Sequence, residues 1–234
     1  MIRFFSLMLV LWCFPGYVAD IDISQAAKYS LNQQDSNFDE DTNKLIYANK
    51  LQELELLMSR SALYINKRKL LKNLVTLINT TDTLQKLLIS LPPEVCIEGR
   101  PIDEAAILLF EALTDNKTVK ILDIRPCFAW VGLENARILA KLVSENVVLQ
   151  ELSMGLMDWK SHDFTELGLA LAKNTTLTRL SLSIDSISED DAKKLVNAIR
   201  ENKMLTHVKL VCSGGNAITE IAKIRAIFKE ADRD

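Results

Sequence analysis

The amino-acid sequence predicts an α/β repeat fold, a short right-handed arc with parallel strands on its concave face and helices on its convex face. Two observations carry this prediction. A helical apolar pattern ends at an asparagine and recurs every 28–30 residues. Each asparagine is then followed by apolar residues whose final pair alternates, which is strand spacing. One helix and one strand cannot bury an apolar face alone, so neighbouring units must stack.

The composition is that of one soluble domain. The chain has 234 residues, of which 48% are hydrophobic and 25% charged, and its net charge is −3. A chain of this length can bury a substantial core. The weak net charge gives no electrostatic reason to expect a polyanionic partner. We therefore expect no nucleic-acid partner, and no membrane contact beyond a targeting segment.

Residues 1–19 predict a secretory signal peptide. Arg3 supplies a positive charge, residues 4–14 are almost entirely apolar, and Pro15-Gly16 breaks the run. The run is shorter than the roughly 20 residues that span a membrane. An uncleaved anchor or a buried helix is the alternative. We therefore expect export to a secreted or periplasmic destination.

The cysteines do not indicate a disulfide-stabilised scaffold. Removal of the signal peptide takes away Cys13 and leaves Cys96, Cys127 and Cys212. Three is an odd number, and no C-x-x-C pair exists. At most one bridge can form, and buried free thiols are the simpler expectation.

Two segments precede the repeats. Residues 20–41 are polar without a sustained period and predict a flexible leader. Residues 44–68 lack Gly and Pro and space apolar residues by three and four, which predicts an amphipathic helix. We interpret residues 42–70 as a helical N-terminal cap over the open end of the repeats. The alternative is a coiled-coil seam for a partner.

The repeat units occupy residues 71–216. An asparagine marks the helix-to-strand turn in four of the five units, whereas Thr81 stands there in the first. Residues 217–234 predict a closing C-terminal helix. The four asparagines are Asn116, Asn146, Asn174 and Asn202, and the strands begin near Leu84, Val119, Leu149, Leu177 and Leu205.

The unit LTRLSLSIDSISEDDAKKLVNAIRENKML closely resembles the long leucine-rich repeat of the ribonuclease-inhibitor type. The resemblance covers roughly Leu71 to Leu210. Asp185 replaces the usual Asn after the strand, and Asp191 replaces the usual Gly before the helix face. The resemblance implies a leucine-rich-repeat solenoid. Relatives with this repeat act as inhibitors, sensors and host-directed bacterial proteins, which implies protein–protein recognition.

Strand residues that alternate away from the core predict a recognition surface of rows that cross the strands. One row comprises Lys86, Ile121, Glu151, Arg179 and His207, and the next comprises Leu88, Asp123, Ser153, Ser181 and Lys209. Adjacent strands are about 4.8 Å apart, so Glu151 and Arg179 are expected to touch. Small side chains at Ser153, Gly155, Ser181 and Ser183 would let a partner approach closely. A plain solvated sheet face is the alternative. The candidate binding residues are Asp123, Arg125, Glu151, Arg179, His207 and Lys209.

The sequence offers little for catalysis, and we predict no enzyme, cofactor or metal site. His207 and Asp123 fall three strands apart, about 14 Å at strand spacing, which is too far for a dyad. His162 stands beside Asp163, which helix capping explains. Residues 188–191 look like an acidic metal loop, but a helix cap with acidic first-turn residues accounts for them.

Three N-x-[ST] sequons begin at Asn79, Asn116 and Asn174. The last two coincide with repeat turns, so the repeat already explains them. Our leading hypothesis is an exported recognition module that binds an unidentified protein through the concave strand face. The alternative is a structural or envelope-associated scaffold whose helix at 44–68 makes the partner contact. The oligomeric state is left open.

Overall fold

The computed structural model describes residues 28–32, 51–57, 72–90, 104–125, 133–156, 159–212 and 226–229. Within these ranges seven strands form one parallel sheet whose spatial order equals their chain order. From β3 onward, helices alternate with the strands. The elements are β1 (Lys28–Asn32), β2 (Glu53–Leu57), α1 (72–80), β3 (Lys86–Ser90), α2 (Glu104–Asp115), β4 (Ile121–Arg125), α3 (Leu133–Glu145), β5 (Glu151–Leu156), α4 (Ser161–Lys173), β6 (Arg179–Ile184), α5 (Glu189–Glu201) and β7 (His207–Cys212).

Strands β5, β6 and β7 each separate a core face from a solvent face. In β7 the side chains of Val208, Leu210 and Cys212 are buried, whereas the intervening residues are exposed. The same alternation recurs in β5 and β6. Successive strand side chains point to opposite faces, so the apolar alternation in the sequence fixes which face meets the helices.

The helices cover the core face of the sheet with one apolar side. In α3 the residues Ala136, Leu139, Leu142 and Val143 are buried, at the three- and four-residue spacing of one helix face. These residues join the strand leucines in one continuous core that extends from Leu51 to Phe228. The prediction of an α/β leucine-rich-repeat solenoid is therefore confirmed.

The register also agrees with the sequence analysis. Leu152, Leu180 and Val208 lie side by side on three neighbouring parallel strands. All three are buried. A one-residue slip would place the whole apolar set of a strand in solvent, so this register is strongly specified.

A buried asparagine links each repeat unit to the preceding one. Asn174 Nδ2 donates to the carbonyl oxygen of Val143 in the preceding turn at 2.6 Å. Its Oδ1 accepts from the backbone N–H groups of Thr176 at 3.0 Å and Leu177 at 2.7 Å. One side chain thereby satisfies three backbone groups at a helix end that the core excludes from water.

The other three asparagines repeat this arrangement. Asn116, Asn146 and Asn202 each donate to a carbonyl of the preceding turn and accept from two backbone N–H groups of their own turn. We call this set of four the asparagine ladder. It explains why the sequence repeat is most visible at these positions.

The predicted N-terminal cap is wrong for residues 53–57, which form β2 instead of a helix. β2 pairs in parallel with both β1 and β3. Leu51, Leu54 and Leu56 reproduce the spacing of Leu84, Leu87 and Ile89 in the next strand, so pairing with a parallel neighbour overrides the helical period.

The flexible leader predicted for residues 20–41 is likewise wrong for Lys28–Asn32. These residues form β1, in register with Glu53–Leu57. Pairing with β2 orders them, although the segment is too polar to show a strand pattern by itself. The remaining residues of both predicted segments lie outside the described ranges.

The ends of the chain are described only in part. Residues 226–229, inside the predicted closing helix at 217–234, are helical, and Phe228 is 1% exposed. The predicted signal peptide at 1–19 lies outside the described residues. In the part that the structure describes, no helix has the length and apolar character needed to cross a membrane.

The cysteines can be followed at one position. Cys212 is buried at the end of β7, with its Sγ 3.9 Å from the carbonyl oxygen of Asp185. Cys96 and Cys127 lie outside the described residues.

Candidate recognition surface

The outward side chains of β2 to β7 form a surface that we call the strand face. Its first row runs across the sheet through Glu53, Lys86, Ile121, Glu151, Arg179 and His207. Its second row runs through Glu55, Leu88, Asp123, Ser153, Ser181 and Lys209. From β3 onward both rows are those that the sequence predicts.

The strand face carries a groove of about 660 Å³ that crosses five strands, from β3 to β7. Five of the six predicted binding residues line it: Asp123, Glu151, Arg179, His207 and Lys209. The sixth, Arg125, is the last residue of β4, in register with Ser90, and its side chain lies outside the described part of the structure.

Among the described residues, two ion pairs, Glu151–Arg179 and Glu53–Lys86, cross neighbouring strands on this face. Arg179 Nε lies 3.7 Å from Glu151 Oε1, which confirms the contact expected from the sequence. Lys86 Nζ lies 3.8 Å from Glu53 Oε2. All four side chains are about one-third exposed or more, and exposed pairs of this kind stabilise a fold by about 0–1 kcal/mol. These charges are therefore available at little cost to a partner.

The β7 end of the groove is the most exposed. His207 and Lys209 are both exposed, whereas Asp123 and Ser153 nearer the centre are half-buried. Toward β3, Leu88 is only 8% exposed. The groove is thus recessed at its centre and open at its β7 end.

Hydrogen bonding to Thr206 indicates which ring nitrogen of His207 the protein itself engages. Thr206 Oγ1 donates its single hydrogen to the carbonyl oxygen of Thr178 at 3.1 Å. His207 Nδ1 lies 2.9 Å from Thr206 Oγ1. In the neutral ring Nδ1 must therefore carry the hydrogen and donate it, which leaves Nε2 as the nitrogen not engaged by Thr206.

The second histidine belongs to a helix start. Asp163 Oδ2 accepts from the backbone N–H of Lys160 at 2.7 Å, and the Asp163 carboxylate is buried. His162 Nε2 lies 2.9 Å from Asp163 Oδ1. The capping interpretation of Asp163 is confirmed.

The acidic residues 188–191 also form a helix cap. Ser188 Oγ accepts from the backbone N–H of Asp191 at 3.1 Å and donates to its Oδ2 at 2.6 Å. Ser161 of the preceding unit donates to Asp191 Oδ1 at 2.6 Å. In the described residues no three His, Cys, Asp or Glu side chains converge as metal ligands.

The surroundings of Asp191 also set its protonation. Burial raises the pKa of this carboxyl, but hydrogen bonds from Ser161, Ser188 and Lys194 outweigh burial and hold the pKa below that of an ordinary aspartate. Asp191 is therefore a charged, fully engaged structural group rather than a proton donor.

The three sequons differ in accessibility. Asn116 and Asn174 are 8% and 6% exposed, and both side-chain amides donate to backbone carbonyls in the asparagine ladder. Asn79, at the end of α1, is exposed. The repeat therefore accounts for the sequons at Asn116 and Asn174, as the sequence analysis expected.

Comparisons with known proteins give structural neighbours alone. No family model and no curated protein matches the chain. Actin-binding site 2 of leiomodin-1 superposes with 15% identity and a TM-score of 0.41, over 61% of this chain and 79% of that one. The C-terminal domain of Caenorhabditis elegans tropomodulin gives 14% identity and 0.49, over 69% and 92%. The assignment of the fold rests on the strand order and register of this chain.

Proposed function

We propose that this protein is a recognition module built from leucine-rich repeats of the ribonuclease-inhibitor type, and that it binds a protein partner through the strand face. The observation that carries the proposal is the groove of about 660 Å³ across five strands, lined by charged side chains that the fold itself does not need. A groove on a rigid sheet presents its side chains in fixed register, which suits recognition of an extended or convex partner surface.

Binding without catalysis is part of the proposal. His207 and Asp123 lie on β7 and β4, with two strands between them, so they cannot form a dyad. Small-molecule pockets are mostly enclosed, whereas this groove lies open on the strand face and combines leucine, isoleucine and valine with lysine, arginine, histidine, aspartate, glutamate and serine. A macromolecular partner suits this lining better.

The second hypothesis, a scaffold that contacts its partner through a helix at 44–68, does not survive the structure. Glu53–Leu57 is an interior strand with parallel neighbours on both sides. A helix over this segment cannot form without breaking both strand pairings.

Site-specific photocrosslinking tests the proposed surface. We would place p-benzoylphenylalanine at Ser183, which is exposed on β6, and separately at Leu169, which is 60% exposed on α4. The expected result is a crosslinked partner, identified by mass spectrometry, from the Ser183 variant alone. Crosslinking from Leu169 with none from Ser183 would place the interface on the helices and refute the proposal.

Export is the remaining part of the proposed function, and the signal-like pattern of residues 1–19 supports it. Residues 1–40 fused to a leaderless alkaline phosphatase should direct the enzyme out of the cytoplasm. The exported fusion should begin at Asp20. Retention in the cytoplasm would remove export from the proposal while leaving the recognition surface untouched.

A further inference from the structure

The charges on the strand face are distributed unevenly between its two ends. On β2 the outward residues are Glu53 and Glu55. Glu53 is flanked in the register by Lys28 of β1 and Lys86 of β3, and it pairs with Lys86. On β6 and β7 the outward residues of the same two rows include Arg179 and Lys209. His207 lies opposite Arg179 on β7, two residues before Lys209. The β6–β7 end of the face, which we call the basic end, therefore carries two cations on adjacent strands.

The two cations of the basic end outnumber the one acidic residue that pairs with them. Glu151 is the acidic residue that pairs with Arg179, at 3.7 Å and with both side chains partly exposed. Lys209 makes no ion pair with any residue of the described ranges, and it is exposed. The complement of this end is a negatively charged group brought by a partner.

The geometry of the basic end suits an extended segment. Arg179 and Lys209 are diagonal neighbours on adjacent parallel strands, which places their Cβ atoms about 7–8 Å apart. In an extended chain, side chains two residues apart on one face are separated by about 6.6 Å. Two carboxylates at alternate positions of a partner segment can thus meet the two cations together.

The floor between the cations leaves room for a partner's backbone. Ser181 lies beside Lys209 in the second row, and Ser153 lies beside Ser181 on β5. Both serines line the groove and are half-buried. Their hydroxyl groups can donate hydrogen bonds to a partner's carboxylates. Longer side chains at these two positions would keep the carboxylates away from the floor.

We infer that the β6–β7 end of the strand face docks an acidic, extended protein segment with carboxylates at alternate positions. This inference rests on the proposed function, because it names the partner chemistry for the same surface. Arg179 and Lys209 bind the two carboxylates.

Fluorescence anisotropy with labelled decapeptides tests the inference on the full chain. The probes are an alternating Glu-Ser decapeptide and its Lys-Ser and Gln-Ser counterparts. The Glu-Ser peptide should bind most tightly, and R179E/K209E should weaken it roughly tenfold or more. The matched control is K117E/K141E, which changes the net charge equally at two exposed lysines of a turn and of α3. It should leave the affinity within about twofold.

Three outcomes would overturn the inference: no binding of the Glu-Ser peptide, tighter binding of the Lys-Ser peptide, or an equal loss in the control variant. Circular dichroism of each variant separates lost binding from lost folding. The Ser183 crosslink keeps the two proposals distinguishable. A partner captured there together with a silent Glu-Ser peptide would refute the acidic segment while leaving the strand face as the interface.

Discussion

The two halves of the sheet have the same strand architecture but different turns. From α2 to β7 a buried asparagine closes every helix-to-strand turn and bonds to the turn before it. At the start of β3, Thr81 stands in that place, and its Oγ1 accepts one long bond, 3.4 Å, from the N–H of Thr83. The strands nevertheless continue in register to β1. The ladder therefore reinforces the stack, but stacking does not require it.

A different side chain supplies the link between units where the asparagine is missing. Thr83 Oγ1 donates to the carbonyl oxygen of Leu51 at 3.0 Å, joining the turn before β3 to the residues before β2. A hydroxyl has one hydrogen, so Thr83 donates this single bond. An asparagine amide donates a bond of the same kind through its nitrogen, and its oxygen also accepts from the N–H groups of its own turn. The comparison teaches that a side-chain bond to a carbonyl of the preceding unit occurs at both kinds of turn, although a different residue donates it.

Breaking the ladder should have the largest effect. Asn174→Ala removes the partners of the Val143 carbonyl and of the Thr176 and Leu177 N–H groups. We expect a loss of about 3–5 kcal/mol in the free energy of unfolding, since buried backbone groups without partners cost roughly 1–3 kcal/mol each. Urea denaturation measures it.

The matched variant is Thr81→Ala at the equivalent turn. Its hydroxyl makes a 3.1 Å contact with Thr83 Oγ1 and the 3.4 Å bond from the Thr83 N–H. A loss of about 1 kcal/mol is expected there. Equal losses in the two variants would show that the ladder contributes no more than a single hydroxyl, and the contrast between the halves would disappear.

The strands that follow a ladder asparagine could be predicted from the sequence, whereas β2, which has no such asparagine, could not. In the ladder region the asparagine fixes the turn, and the apolar alternation after it then determines each row of the strand face. Glu151 and Arg179 could therefore be paired from the sequence. β2 has Ala48 three residues before Leu51, where the ladder has asparagine. Without that marker its leucines fit a helix period as well as a strand, and parallel neighbours decide the outcome.

The candidate site was predictable to the same extent. Positions on β4 to β7 follow from the register, whereas the acidic residues Glu53 and Glu55 were missed with β2 itself. The spacing of Leu51, Leu54 and Leu56 was the signal that could have found them. The groove and its gradient of exposure depend on how the strands pack together, which no single unit of sequence encodes.

The second-largest effect should come from the core of β2. Leu54 is 1% exposed, between two parallel strands, whereas Glu55 beside it points to the strand face. Leu54→Ala should cost about 2–4 kcal/mol in the free energy of unfolding because it leaves a cavity. Glu55→Ala should change it by less than about 0.5 kcal/mol.

A structural measurement accompanies this pair of variants. Backbone NOEs between Glu53–Leu57 and Lys86–Ser90 are expected for the parallel pairing of β2 with β3. Sequential helical NOEs through residues 53–57 in their place would restore the helical cap and shorten the sheet.

A third prediction concerns the second bond between units in the ladder region, from Ser161 to Asp191. Asp191→Asn should lower the free energy of unfolding at pH 7 by about 1–3 kcal/mol, since it removes a charged acceptor of hydrogen bonds from Ser161, Ser188 and Lys194.

The pH dependence of that loss has a definite sign. The pKa of Asp191 is lower in the folded protein than in the unfolded chain, so its contribution is complete above the unfolded value of about 4. It is lost as the pH falls through the lower folded value. Chemical denaturation at pH 7, 5 and 3 should show the wild type and Asp191→Asn converging at the acid end. A gap that stays constant would mean that the carboxylate charge contributes nothing.

The smallest effect is expected where the two halves are most alike, in the ion pairs across the strand face. Glu151–Arg179 and Glu53–Lys86 have similar lengths, 3.7 and 3.8 Å, although only the first lies in the ladder region. Double-mutant cycles to alanine should give coupling energies of about 0–1 kcal/mol for both, because partly exposed pairs are screened by solvent. A coupling above about 2 kcal/mol at Glu151–Arg179 would make this pair a structural element. Arg179 would then be committed to the fold rather than to a partner, and charge reversal there could no longer separate binding from stability.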